Sequence, residues 1–397
     1  MSGATDPRAG FALPAAIFAL VVVAVLITAG FFLAGQESRI GQATERTTQA
    51  FYLAEHGMNQ VMEGWSPGAA SLELWESAGP ATGCALCQGT QGDGEWEVTI
   101  TRTGERLYFV QSRGSITVGG RLAGASRTLG QLTRTITAEI PANSALLTRG
   151  DVSVRGRAEI LGEDVNPPGW GGVCSAPGAD RPGVITDTGS TVETSGANAV
   201  VSGDPEWTTE DLSDDDFLQF GDLGWDDLVA LAEASHRFAG GNFNGMQPST
   251  TGSPEVCNTS DSNNWGSPLD PGGPCGLFFP IIHVNGDARV QSGGAVQGQG
   301  ILLVEGDLDV RGAFEFYGLI LVKGQFESQG SGAGDTQRIR GSVLAGNADV
   351  DQSVITGGAT VQFSSCAVTR AVENARGLST IRPLRDRGWV DLTVAGF

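Results

Sequence analysis

Positive charge is scarce in this sequence of 397 residues: 24 Lys and Arg stand against 45 Asp and Glu, a net charge of −21 at neutral pH. Nucleic-acid binding needs a basic face to neutralise phosphates, so that class of partner is excluded. The acidic balance suits a soluble surface exposed outside the cell. Histidine is rarer still, with only His56, His236 and His283, each isolated in the sequence. There is no P-loop, no G-x-S-x-G and no H-E-x-x-H, so none of these routes to catalysis is written in the chain. Cys84 and Cys87 have C-x-x-C spacing, but no second C-x-x-C follows to complete a four-ligand zinc site. Collagen-like glycine at every third position is also missing.

Glycine is nevertheless abundant, at 59 residues. Amid valine and isoleucine, this reads as many tight turns between short strands. Six cysteines, Cys84, Cys87, Cys174, Cys257, Cys275 and Cys366, form an even set beside an export-type segment, which points to disulfides. A short Cys84–Cys87 bridge is expected; the other four can pair in three ways.

Residues 11–34 carry no charge, and about 20 apolar residues suffice to span a bilayer as a helix. The run is longer than the apolar part of a secretory signal. Beyond it, Ile40, Ala43, Ala50, Phe51, Ala54, Met58, Val61, Met62 and Trp65 recur mostly at gaps of three or four, one apolar stripe on a continuing helix. Gly64 and Pro67 stop it. Such a rod would be apolar all round in its first half and two-faced in its second.

The run RAGFALPAAIFALVVVAVL resembles the N-terminus of type IV prepilins, and AFYLAEHGMNQVM resembles the following segment of PilX-type minor pilins. The resemblance ends near Trp65. It implies a leader, residues 1–10, cut by prepilin peptidase after Gly10, leaving Phe11 as an N-methylated mature N-terminus. Ala15, Ile40, Phe51, Ala54 and Met58 are the candidate helix-packing residues, the first half of the rod suiting lipid or a helix bundle and the second a globular head; the resemblance implies other pilins, inner-membrane pilus assembly proteins and membrane lipid as partners. The implied location is the bacterial inner membrane, single-pass, with the C-terminal part periplasmic or extracellular on a pilus. One departure matters: most pilins carry glutamate at the fifth mature position, occupied here by Ala15. A carboxylate at that depth costs roughly 2.5–3.5 kcal/mol unless paired. Pilins are thought to pair it with a neighbour's N-terminal amine, which Ala15 cannot do. The expectation is a minor, assembly or priming subunit, not the bulk repeating one.

Residues 66–142 read as a loop holding both C-x-x-C cysteines, then a small antiparallel sheet whose hairpin turns at Thr103-Gly104-Glu105. Residues 143–397 form a glycine-rich β-repeat domain. Residues 281–290, 301–310, 319–328 and 342–350 each hold a short apolar run, a glycine (Gly286, Gly306, Gly324, Gly346) and then an alternating strand; an earlier copy centres on Gly150. One copy cannot bury its apolar side and stacked copies can, so a solenoid is implied. The fold class is α+β: long helix, small antiparallel sheet, then a mainly β domain, expected as a parallel β-helix with a β-sandwich as the alternative. Residues 366–397 are expected to cap the repeats.

An acidic, loop-rich insertion is expected over residues 204–280, with one helix at 226–238. Asp211, Asp214 and Asp216 in it are weak calcium candidates, because the EF-hand spacing is absent. No other cofactor and no metal is expected. Parallel β-helices include polysaccharide lyases and hydrolases, whose chemistry needs clustered carboxylates. The candidates, Asp287, Asp307, Asp309, Asp349 and Asp351, follow or lie near glycine corners and read as turn residues. Arg149-Gly150-Asp151 likewise lies inside a repeat corner. The expected function is therefore non-enzymatic: a minor pilin-like structural subunit. A membrane-anchored adhesin is the first alternative and a β-helix carbohydrate-active enzyme the second.

Overall fold

The computed structural model describes residues 12–65, 72–117, 124–196, 198–291, 296–329, 337–346, 352–356, 358–384 and 388–393. Gly10 and Phe11 lie outside them, as do Asp349 and Asp351. The chain forms two compact units: residues 1–135 with 381–397, and residues 136–380. The repeat domain was expected to run from 143 to the C-terminus; its last stretch instead belongs to the first unit.

In the first unit, helix α1 (Ala12–Glu63) runs for 52 residues, about 78 Å at 1.5 Å per residue. Three antiparallel strands follow: β1 (Gly94–Arg102), β2 (Leu107–Ile116) and β3 (Ser126–Thr137). In β1, buried and exposed residues alternate, as a sheet with one wet face requires. The buried face, with Trp96, Val98, Ile100, Val110 and Ile116, takes the helix stripe Ala50, Leu53, Ala54, Met58 and Val61. Each large side chain buried there contributes about 1.5–3 kcal/mol. Two glycines let the backbones approach. A Cβ on Gly114 would collide with the Ala50 carbonyl and come within 2.6 Å of the Ala54 nitrogen; one on Gly57 would come within 2.6 Å of the Trp96 ring. Val390–Asp391 returns to pair with β3, and Arg127 holds Asp391 at 2.9 Å.

In the second unit the large sheet is parallel throughout its described pairings and curls into three strips. The chain visits them in order, through β4 (Leu146–Thr148), β5 (Asp151–Arg155), β6 (Glu159–Leu161), β7 (Val184–Asp187), β8 (Val192–Ser195), β9 (Val200–Ser202) and β10 (Trp207–Glu210). After helix α2 (Trp225–Leu231), β11 (Arg237–Phe243) joins β12 (Ile281–Gln291). The circuit then resumes with β13 (Val296–Val304), β14 (Leu308–Arg311), β15 (Phe314–Val322), β16 (Phe326–Gln329), β17 (Gln337–Ala345), β18 (Gln352–Thr356) and β19 (Ala359–Phe363). Ile281, Ile301 and Leu319 are successive partners in the first strip, so the repeat seen in the sequence is one circuit of the stack.

The first strip is buried on both faces. Ile282, Val284, Leu302, Val304, Ile320 and Val322 face the interior cluster. Ile281, Ile301, Leu303, Leu319 and Leu321 face an outer layer with Trp170, Trp225, Leu228 and Phe279. That double burial is why these segments read as unbroken apolar runs. Helix α3 (Ser365–Asn374) also lies on this layer, burying Ala367 and Ala371. Gly300, Gly318 and Gly341 pair in register at φ of +109°, +137° and +138°, a corner where a side chain would strike the backbone of the turn before.

Stacking order differs from sequence order. Residues 146–148 pair with 343–345, so the early circuits continue the stack beyond the late ones. The expected insertion is also shorter than 204–280, because β10 and β11 are sheet strands. The helix expected at 226–238 ends at Leu231; Phe238 instead lies in β11 and packs against the interior cluster.

Candidate functional site

Among the described residues, the apolar half of α1 is exposed along its length. Side chains 13–45 are exposed, and α1 is long and apolar enough to cross a membrane by length and composition. A water-exposed run of Leu13, Ile17, Phe18, Leu20, Val21, Leu26 and Phe31 is a surface that soluble proteins avoid. Of the residues expected to pack, Ala54 and Met58 are buried within the unit, and Phe51 is half-buried with its ring 5.1 Å from that of Trp389. Ala15 is exposed, and Ile40, 64% exposed, rims an open groove of about 530 Å³ with Ala43, Phe51 and Trp389.

The cysteines form three pairs: Cys84 with Cys87, Cys174 with Cys366, and Cys257 with Cys275. Cys174–Cys366 ties the loop carrying Trp170 to α3, across 192 residues of sequence. Cys257–Cys275 closes the loop that supplies Trp265.

The insertion acids disperse, whereas Asp287, Asp307 and Asp309 line one open cavity of about 510 Å³ with Arg289 and Glu327. Asp214 is held by Arg149 at 2.5 Å, while Asp216 accepts from the Ser213 N–H and Oγ at 2.8 Å. Asp211 joins neither contact, and among the described residues no group of three or more His, Cys, Asp or Glu is placed to hold a metal. The corner carboxylates bind backbone. Asp287 accepts from the Asp307 N–H at 3.0 Å, Asp307 from the Gln325 N–H at 2.8 Å, and Asp151 from the Thr191 N–H at 2.7 Å. Each carboxylate thus pins the next circuit. Asp309 is shared by Arg289 and Arg311 at 2.9 and 2.8 Å. Arg149 and Asp151, the charged ends of the Arg-Gly-Asp run, are both engaged in this way. His236 is buried between Ser235 and the Asn264 carbonyl.

One cluster escaped sequence reading. Glu305 accepts from Trp225 Nε1 at 2.7 Å, contacts His283 Nε2 at 3.2 Å, and pairs with Lys323 Nζ at 2.5 Å; Lys323 also lies 4.6 Å from the Trp225 ring centroid. Burial pushes the Glu305 carboxyl up, but bonds from Lys323, Trp225 and His283 outweigh it and hold it below the usual range. The register of neighbouring circuits assembles this group, and its members are too far apart in sequence to signal it. It pins α2 to the sheet.

Comparison with family models, with curated proteins and with solved structures gives no match. Geometry alone therefore bears on function. Among the described residues, Asp151, Asp287, Asp307 and Asp309 bind backbone N–H groups or arginines, whereas side chains 13–45 of α1 are exposed.

Proposed function

We propose that this chain is a minor pilin-like subunit, anchored by α1 in the bacterial inner membrane. It acts in assembling or priming a type IV pilus-like fibre and displays a β domain outside the cell, without enzymatic activity. The observation that carries this reading is α1 itself: one continuous helix, greasy and uncovered over residues 13–33, then laid on a small antiparallel sheet through Ala50, Leu53, Ala54 and Met58. The first half suits lipid or a bundle of like helices; the second fixes the rod to a head. The N-terminal resemblance to prepilins supports the same reading, with Gly10 and Phe11 as the cleavage pair. Three disulfide pairs fit an oxidising compartment. We read the curled parallel sheet as a β-helix, its three strips being the faces and its glycine ladder one corner.

A photoreactive residue at Leu20 or Leu26, in cells that assemble the fibre, tests the role. Crosslinks to other pilin-type subunits are expected. Crosslinks to lipid alone would overturn the pilin reading in favour of an adhesin with a plain anchor.

A further inference from the structure

The two ends of the parallel sheet are finished differently. At the β11 end, Phe238, Phe243, Met246 and Trp265 fill the interior, with Phe238–Phe243 and Phe243–Trp265 centroids 5.3 and 5.9 Å apart. At the other end, β8, β9 and β10 each have a single strand partner, β5, β6 and β7. Register extends three interior columns there. Val192 follows Val152, Val201 follows Ile160, and Trp207 follows Val184. The inner members are buried; Val192 and Val201 are half-buried, and Trp207 is 40% exposed. Among the described residues, the columns end in apolar side chains that are half-buried or exposed.

Among the described residues, the outer side of β10 also has no strand partner. Glu206 and Glu210 carbonyls accept from Gly183 and Thr188 of the β7 side, each at 3.0 Å. Alternation along a parallel strand then turns the N–H and C=O groups of Trp207 and Thr209 outward. Such an edge is a template for another strand.

Charge selects the occupant. No Lys or Arg occurs between Arg181 and Arg237, and Glu193, Asp204, Glu206, Glu210 and Asp211 lie on this end circuit. Among the described residues none of the five carboxylates is in an ion pair. A second copy stacked end to end would oppose these acids to themselves, and like charges directly opposite destabilise a strand pair.

We infer that the β8–β10 end is a docking surface for an extended, basic segment of another protein. The segment adds as a strand along β10, placing apolar residues on Trp207 and alternate Lys or Arg side chains beside Glu206 and Glu210. The inference rests on the strand pairing of the second unit and not on the pilin role, so either can fail alone.

The test uses the full chain in detergent micelles and a fluorescent peptide of alternating lysine and valine. Controls are the glutamate–valine peptide and the lysine–valine peptide N-methylated at alternate amides. Saturable binding of the first is expected, weakened at least about tenfold by N-methylation, by Thr209→Pro and by the Glu206→Lys/Glu210→Lys pair. N-methylation is read on the unaltered protein, so it stands even if Thr209→Pro misfolds. No binding, equal binding of the glutamate peptide, or indifference to N-methylation would overturn the inference. So would self-association of the chain that Trp207→Ala abolishes, because it would make a second copy the occupant.

Discussion

Gly114 shows how one residue decides whether α1 can dock. Its missing side chain leaves room for the Ala50 carbonyl and the Ala54 nitrogen, so the helix axis lies close to β2. Gly114→Ala must push the helix outward or bend the strand, a cost of about 1–3 kcal/mol by overpacking. Thermal or denaturant unfolding should show that loss. The comparison is Gly171→Ala, where an added Cβ meets nothing within 4 Å and the change should stay within about 0.5 kcal/mol. The helix side of this contact was legible: Ala54 and Met58 sit on a stripe that any helical spacing reveals. The sheet side was not, because a glycine in a strand announces close approach without naming what approaches. Ile40 belongs to the same stripe, yet among the described residues it stays exposed; a periodicity marks a face and does not say whose surface meets it.

At the scale of elements, the apolar runs at 281, 301 and 319 were readable as stacked strands because double burial leaves no polar alternation to confuse the pattern. The glycine corner at Gly300, Gly318 and Gly341 is not legible in the repeat, since each glycine falls just ahead of the apolar run that marks it. The helix expected at 226–238 stopped at Leu231 because the chain there must turn into β11, a demand set by pairing with β12 and not by local propensity. The Cys84–Cys87 bridge was legible from its spacing, whereas the pairing of the other four cysteines was not. The Cys174–Cys366 bridge holds α3 and the Trp170 loop together over the first strip. Replacing both cysteines with serine should lower stability by about 2–5 kcal/mol, and limited proteolysis should then cut first in the loop around Trp170. Unchanged proteolysis would mean that Trp170, whose Nε1 donates to the Pro268 carbonyl at 2.7 Å, anchors the loop unaided.

At the scale of the whole molecule, α+β class and the order helix, small sheet, parallel strands followed from sequence. The stacking of early circuits beyond late ones did not, because it depends on Leu146, Leu147 and Thr148 meeting Val343, Leu344 and Ala345 from a distant part of the chain. The proposed function rests on the N-terminal helix, whose start is apolar and exposed and whose second half packs on the small sheet. The mass of the mature N-terminus, taken from cells that contain prepilin peptidase, tests that role most directly. Removal of residues 1–10 with an N-methylated Phe11 is the expected result; an intact chain still beginning at Met1 in the membrane fraction would contradict it.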